Sequence, residues 1–139
     1  MYLEEATSTT IRSMDQSIGS YLKAGLIVGV IAAVVANIYF VIYTQVSGNS
    51  FAELNIISVT LASIIPGLIG SLVLYGLRCW SARGTQIFII GGVVFALVSI
   101  VPNIVAPPHP NFFWAASPLH LLVAAVILIG LPRLVKSSR

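Results

Sequence analysis

The sequence predicts an all-α integral membrane protein, an antiparallel four-helix bundle, and three observations carry that expectation. Of 139 residues, 58% are hydrophobic and 8% are charged, with a mean hydropathy of +1.00, so the chain is built for lipid rather than for water. Four apolar runs are long enough to cross a hydrocarbon core of about 30 Å, which takes roughly 20 helical residues. None holds an ionised side chain in its interior, and none shows the short alternation of a transmembrane barrel, which leaves helices as the spanning structure.

The first 20 residues are polar, but Ile11, Met14, Ile18 and Leu22 recur at three- and four-residue spacing. Two readings stand: a short interfacial helix on the cytoplasmic surface that turns into the first span near Gly19, or a disordered tail. The polar leader is too long, and the apolar stretch after it too extended, for a secretory signal. The remainder, 21–139, reads as one transmembrane domain.

The first span is expected at 21–45 and carries Gly25, Gly29 and Ala33 at four-residue spacing, with Asn37 late in the run. A short polar connection, 46–55, has Gly48, Asn49 and Ser50 as turn formers and Glu53 as its charge. The second span, 56–77, places Ser63, Gly67, Gly70 and Ser71 on one stripe and contains Pro66. The third, 85–106, offers Gly91, Gly92 and Ala96, then Ser99, Pro102 and Asn103. The connection 107–117 begins Pro107-Pro108-His109-Pro110, which must be extended because proline fixes φ and disfavours helix in the residue before it. Phe112, Phe113 and Trp114 follow as interfacial anchors. The fourth span, 116–135, holds Ala124, Ala125 and Gly130, with His120 near its start.

Lipid gives helices no hydrophobic reason to associate, so the small residues mark where backbones approach. Gly25, Gly29, Ala33, Ser63, Gly67, Gly70, Ser71, Gly92 and Ala96 are therefore the expected packing positions.

Charge orients the chain. Arg12 and Lys23 precede the first span, Arg78 and Arg83 flank the second connection, and Arg133, Lys136 and Arg139 close the sequence, while the first and third connections have no Lys or Arg. By the positive-inside rule both termini are cytoplasmic. So one-sided a distribution argues against a dual-topology dimer. The net charge of +3 follows from this orienting set and suits anionic headgroups, not nucleic acid. Cys79 is the only cysteine, which removes the CxxC thiol oxidoreductases.

Polar groups retained in lipid are the place to look for function. At about 1.5 Å per residue, Asn37 and His120 both lie roughly 20 Å from the basic surface, near the level expected for Ser63, Pro66 and Ser99. Pro66 leaves the Ala62 carbonyl without its helical donor, and Asn37 or His120 is expected to satisfy it. Asn37, Pro66, Ser99, Asn103 and His120 thus form the candidate ligand site, in the outer half of the bundle. For His120 two readings remain: a neutral imidazole specifying helix register, or a contact to a quinone, lipid, pigment or haem. A metal site from Glu53, His109 and His120 has suitable ligand types but no diagnostic spacing. The sequence identifies no cofactor. With one intramembrane histidine, a single chain does not ligate haem through two histidines, which leaves a site shared between chains open. No intramembrane Asp, Glu, Lys or Arg is present for a protease dyad, proton coupling, a voltage sensor or a Schiff base.

Taken together, Lys23-Ala24-Gly25-Leu26, Asn37, Pro66 in a small-rich span, Ser99-Ile100-Val101-Pro102 and His120-Leu121 resemble a family of small bacterial four-span membrane proteins of unknown function. The resemblance covers most of the chain beyond about residue 20. It implies a multi-pass protein of the prokaryotic inner (cytoplasmic) membrane and groups the Asn, Pro and His positions, without supplying an activity. The expected function is a non-catalytic membrane subunit that packs with itself, as a homo-oligomer, or with a larger membrane complex. The alternative is a small-molecule binding protein.

Overall fold

A computed structural model describes residues 2–137, the side chains of 9–17 and 137 excepted. Ile11, Met14, Arg12 and Arg139 therefore lie outside the described side chains. The described residues form four helices and no strand: α1 (Tyr2–Ser47), α2 (Ile56–Trp80), α3 (Gly84–Val105) and α4 (Phe112–Ser137). Each contains a segment long and apolar enough to cross a membrane: Ile18–Ser47, Ile56–Trp80, Gly84–Val105 and Phe112–Lys136.

The helix ends follow from local chemistry. At the end of α1, Gly48 takes φ +69° and its N–H bonds the Thr44 carbonyl at 3.0 Å, a left-handed stop that glycine adopts without strain. Asn55 starts α2 with a reciprocal cap: its side chain accepts from the Ser58 N–H at 2.9 Å, and Ser58 Oγ accepts from the Asn55 N–H at 2.9 Å. Between α2 and α3 the turn is so tight that a Cβ on Gly84 would strike the Leu77 carbonyl. Asn111, at φ 66°, opens α4; asparagine tolerates that conformation better than most residues.

Two boundaries differ from expectation. The chain does not turn at Gly19: α1 runs through it as a single helix of 46 residues, roughly 69 Å at the usual rise. A lone glycine costs a helix about 1 kcal/mol, less than breaking its ladder. The fourth helix starts at Phe112 rather than 116, so Phe112, Phe113 and Trp114 are helical and not part of the extended proline run.

α1 and α2 meet backbone to backbone. A Cβ on Gly25 would lie 2.6 Å from the Gly67 carbonyl oxygen, and one on Gly29 would lie 2.9 Å from the Ile64 Cα. α4 closes the other side of α1, where Val28 packs on Gly130. Val28, Leu74 and Leu131 are fully buried in this lower core with Phe88 and Ile127. A smaller cluster of Ala36, Val59 and Leu119 sits nearer the opposite end. α3 is peripheral: among the described residues its backbone approaches α2 and α4 and not α1. Of the expected packing positions, Ala33, Ser63, Ser71 and Ala96 are buried. Gly70 faces Ile127 and Leu131, and Gly92 receives Leu128.

Candidate functional site

The intramembrane polar groups divide into two sets on different faces. On α1 and α2, Asn37 Nδ2 donates to the Ala33 carbonyl at 2.8 Å and to Thr60 Oγ1 at 2.9 Å. Thr60 in turn donates to the Ile56 carbonyl at 2.7 Å. Asn37 Oδ1 is buried and has no donor among the described residues. Asn37 and Thr60 line an open groove of about 590 Å³ whose other walls include Val30, Val34, Ile38 and Ile56.

The second set lies on α3 and α4. The Gly92–Leu128 contact sets the antiparallel register, and at equal rise Asn103 comes level with Ser117, and Ser99 with Leu121, next to His120. Asn103 Nδ2 and Ser117 Oγ are both buried and unpaired among the described residues. His120 is exposed and makes no hydrogen bond among them. Ser99 is occupied locally, its Oγ donating to the Ala96 carbonyl at 2.7 Å.

The structure thus separates the five candidates. Counted from the Val28–Gly130 contact, Asn37 and His120 share a level to within about one residue, yet they are not bonded to each other. The expectation that either satisfies the Ala62 carbonyl fails: Asn37 is committed to Ala33 and Thr60, and Ala62 and Pro66 both face outward. Gly67, the neighbour of Pro66, packs on Gly25 and Gly29. Pro66 therefore lies about eight residues, or roughly 12 Å, below Asn37. Thr60 takes the place in the polar layer assigned to Ser63 and Pro66. Ser63 is fully buried and donates to the Val59 carbonyl at 2.8 Å.

A contact that sequence reasoning missed joins α1 to α4. Pro118 has no N–H for the Trp114 carbonyl, and Tyr39 donates its hydroxyl to that oxygen at 2.7 Å. The signal was present in the proline four residues beyond Trp114. Tyr43 donates likewise to the Asn111 carbonyl at 3.2 Å.

Beyond the helix ends, His109 Nε2 lies 3.1 Å from Glu53 Oε1, with both side chains about half exposed. Its ring stacks on Phe51 at 5.8 Å, and Phe51 packs edge-on against Phe112 at 5.3 Å. The His109 hydrogen bond holds the Glu53 carboxyl below its usual range, helped by a backbone bond. His120 does not complete a metal site here: no group of three His, Cys, Asp or Glu converges among the described residues. Asn55 is spent on the α2 cap. Cys79 is exposed at the end of α2.

A family model, Family of unknown function (DUF6069), matches residues 17–137, and the chain belongs to that family. No curated protein and no solved structure matches it.

Proposed function

We propose that this family member is a non-catalytic subunit of the inner membrane, with the basic end cytoplasmic, that docks a transmembrane helix of a second copy of itself into the α1/α2 groove. One observation carries the reading: the groove is open along α1 and α2 and carries, among apolar walls, the polar side chains of Asn37 and Thr60. Lipid tails offer such groups no hydrogen bond, whereas a Ser, Thr or Asn on a partner helix does, and interhelical hydrogen bonds of this kind are a main source of association in bilayers. The groove wall from Val30 to Ile42 runs about 18 Å along α1 at the helical rise, half a bilayer.

The test is cross-linking in native membranes. In a Cys79→Ser background, Ile38→Cys should form a maleimide-bridged dimer and Asn37→Leu should weaken it, with native mass in mild detergent reporting the same stoichiometry. A monomer that cross-links to nothing would refute the reading.

A second reading is favoured by the α3/α4 face: a small molecule bearing carbonyl or hydroxyl groups, such as a quinone, bound at the outer end by Asn103, Ser117 and His120. Its support is the pair of buried, unpaired polar atoms at one level. An absorption spectrum and the ligand content of the purified protein test it. Unchanged ligand content in Asn103→Leu would dispose of it.

A further inference from the structure

At the opposite end of the bundle three helices meet around one cation. Arg78 on α2 donates from Nε to Thr85 Oγ1 of α3 at 2.9 Å and from Nη1 to the Tyr21 hydroxyl of α1 at 3.2 Å. Tyr21 is buried and held edge-on against Tyr75 at 5.2 Å. The guanidinium is thus pinned in one orientation, partly buried, by two neutral partners. A guanidinium has five N–H donors, so three remain, and no carboxylate pairs with it among the described residues.

The chain has four acidic residues: Glu4, Glu5, Asp15 and Glu53. Glu53 is bonded to His109 at the far end. Glu4 and Glu5 precede Tyr21 by at least sixteen residues, about 24 Å along the helix. The side chain of Asp15 lies outside the description. Glu4 and Glu5 aside, the exposed charges at this end of the bundle among the described residues are Lys23, Arg83, Arg133 and Lys136, all of one sign. A partly desolvated cation without a counter-ion is costly, and at the level where apolar helices emerge from lipid the abundant anion is phosphate.

We propose that Arg78, oriented by Thr85 and Tyr21, binds the phosphate of an anionic phospholipid headgroup, with the flat guanidinium fork matched to two phosphate oxygens. The bound lipid joins α1, α2 and α3, and so fastens peripheral α3 to the bundle. Lys23 and Arg83 add attraction without direction.

The experiment is native mass spectrometry of the full chain in mild detergent, loaded with dioleoylphosphatidylglycerol or with dioleoylphosphatidylcholine. Wild type should retain the anionic lipid preferentially. Arg78→Gln should lose that retention by about tenfold or more, the scale of lost hydrogen bonds to a charged group. Thr85→Val, which keeps the charge but frees the side chain, should fall between them, and Arg83→Gln should change retention less than about twofold. Equal losses in Arg78→Gln and Arg83→Gln would reduce the site to a diffuse basic rim and overturn the proposal, as would equal retention of the zwitterionic lipid. Displacement of the lipid by millimolar inorganic phosphate would make the free anion the ligand and overturn it too. Should Arg78→Gln not fold, as judged by circular dichroism, Thr85→Val decides: undiminished retention there refutes the site.

Discussion

Gly67 is the position at which a single methyl group should do most damage. A Cβ added there would lie 2.7 Å from the Gly25 carbonyl oxygen, 2.8 Å from the Gly29 Cα and 3.1 Å from the Gly29 nitrogen. All three are backbone atoms, so no rotamer change relieves the clash. Reaching ordinary contact near 3.4 Å requires α1 and α2 to part by about 0.7 Å, and the loss falls on every dispersion contact along the seam. Overpacking of this kind costs about 1–3 kcal/mol. Alanine's helix advantage over glycine, about 1 kcal/mol, offsets part of it. We expect Gly67→Ala to destabilise by a net of up to about 2 kcal/mol, as much as a roughly thirtyfold change in the folded ratio. Unfolding in mixed micelles by titration with dodecyl sulfate, followed by far-ultraviolet circular dichroism, measures it. The control is Gly76→Ala on the same helix, where a Cβ meets nothing within 4 Å and the substitution should be neutral or stabilising. If the two variants unfold alike, the claim that glycine backbones form the α1/α2 contact is wrong.

Tyr39→Phe should cost about 1 kcal/mol in the same titration, because it orphans the Trp114 carbonyl. Pro118→Ala in that background should recover much of the loss by restoring the helical N–H, and no recovery would mean that the hydroxyl is not standing in for proline's missing donor. Asn37→Leu and Thr60→Val should each lower stability by about 0.6–2 kcal/mol and the double variant by less than their sum, since both remove one bond; strict additivity would count against the pair. For Glu53 the sign follows from its depressed pKa. Its ionised form is favoured in the folded loop, so its contribution is present above the ordinary carboxylate range and is lost as pH falls through the folded value. Protease susceptibility of the connection between α1 and α2 should therefore rise on acidification, and Glu53→Gln should flatten that profile.

How much of this was legible depended on whether a property lives on one helix or between two. Span number and class follow from composition and run length, quantities the chain carries locally. Gly25, Gly29 and Gly67 were readable as contact positions because only close approach explains glycine at four-residue spacing in lipid. The polar layer was readable in depth, since helical rise converts sequence number into height: Asn37 and His120 do come level. Azimuth was not readable. Which way a side chain faces depends on how each helix is rotated, and the polar side chains are too few to reveal that rotation. Asn37 therefore found Thr60, a residue the layer did not include, while His120 faced elsewhere. Pro66 frees a carbonyl on an outward-facing part of α2, whereas Pro118 frees one that meets Tyr39.

The two ends of the bundle solve opposite problems, and that contrast bears on where a partner acts. At the end away from the basic residues Tyr39 and Tyr43 donate to the Trp114 and Asn111 carbonyls, and His109 bonds Glu53 and stacks on Phe51, so α1, α4 and the connection between α1 and α2 are tied together by the chain's own groups. At the basic end Arg78 bonds Thr85 of α3 and Tyr21 of α1, both neutral, and no carboxylate compensates its charge among the described residues. Because the α3 backbone does not approach that of α1 among the described residues, this cation is a place where all three helices can be coupled by something external. An anion that occupies it stabilises only the arrangement in which α3 is docked, and its binding free energy adds to that state alone. The attachment of α3 should then follow the lipid composition of the membrane, whereas the α1/α2 seam, closed by glycine backbones, should not.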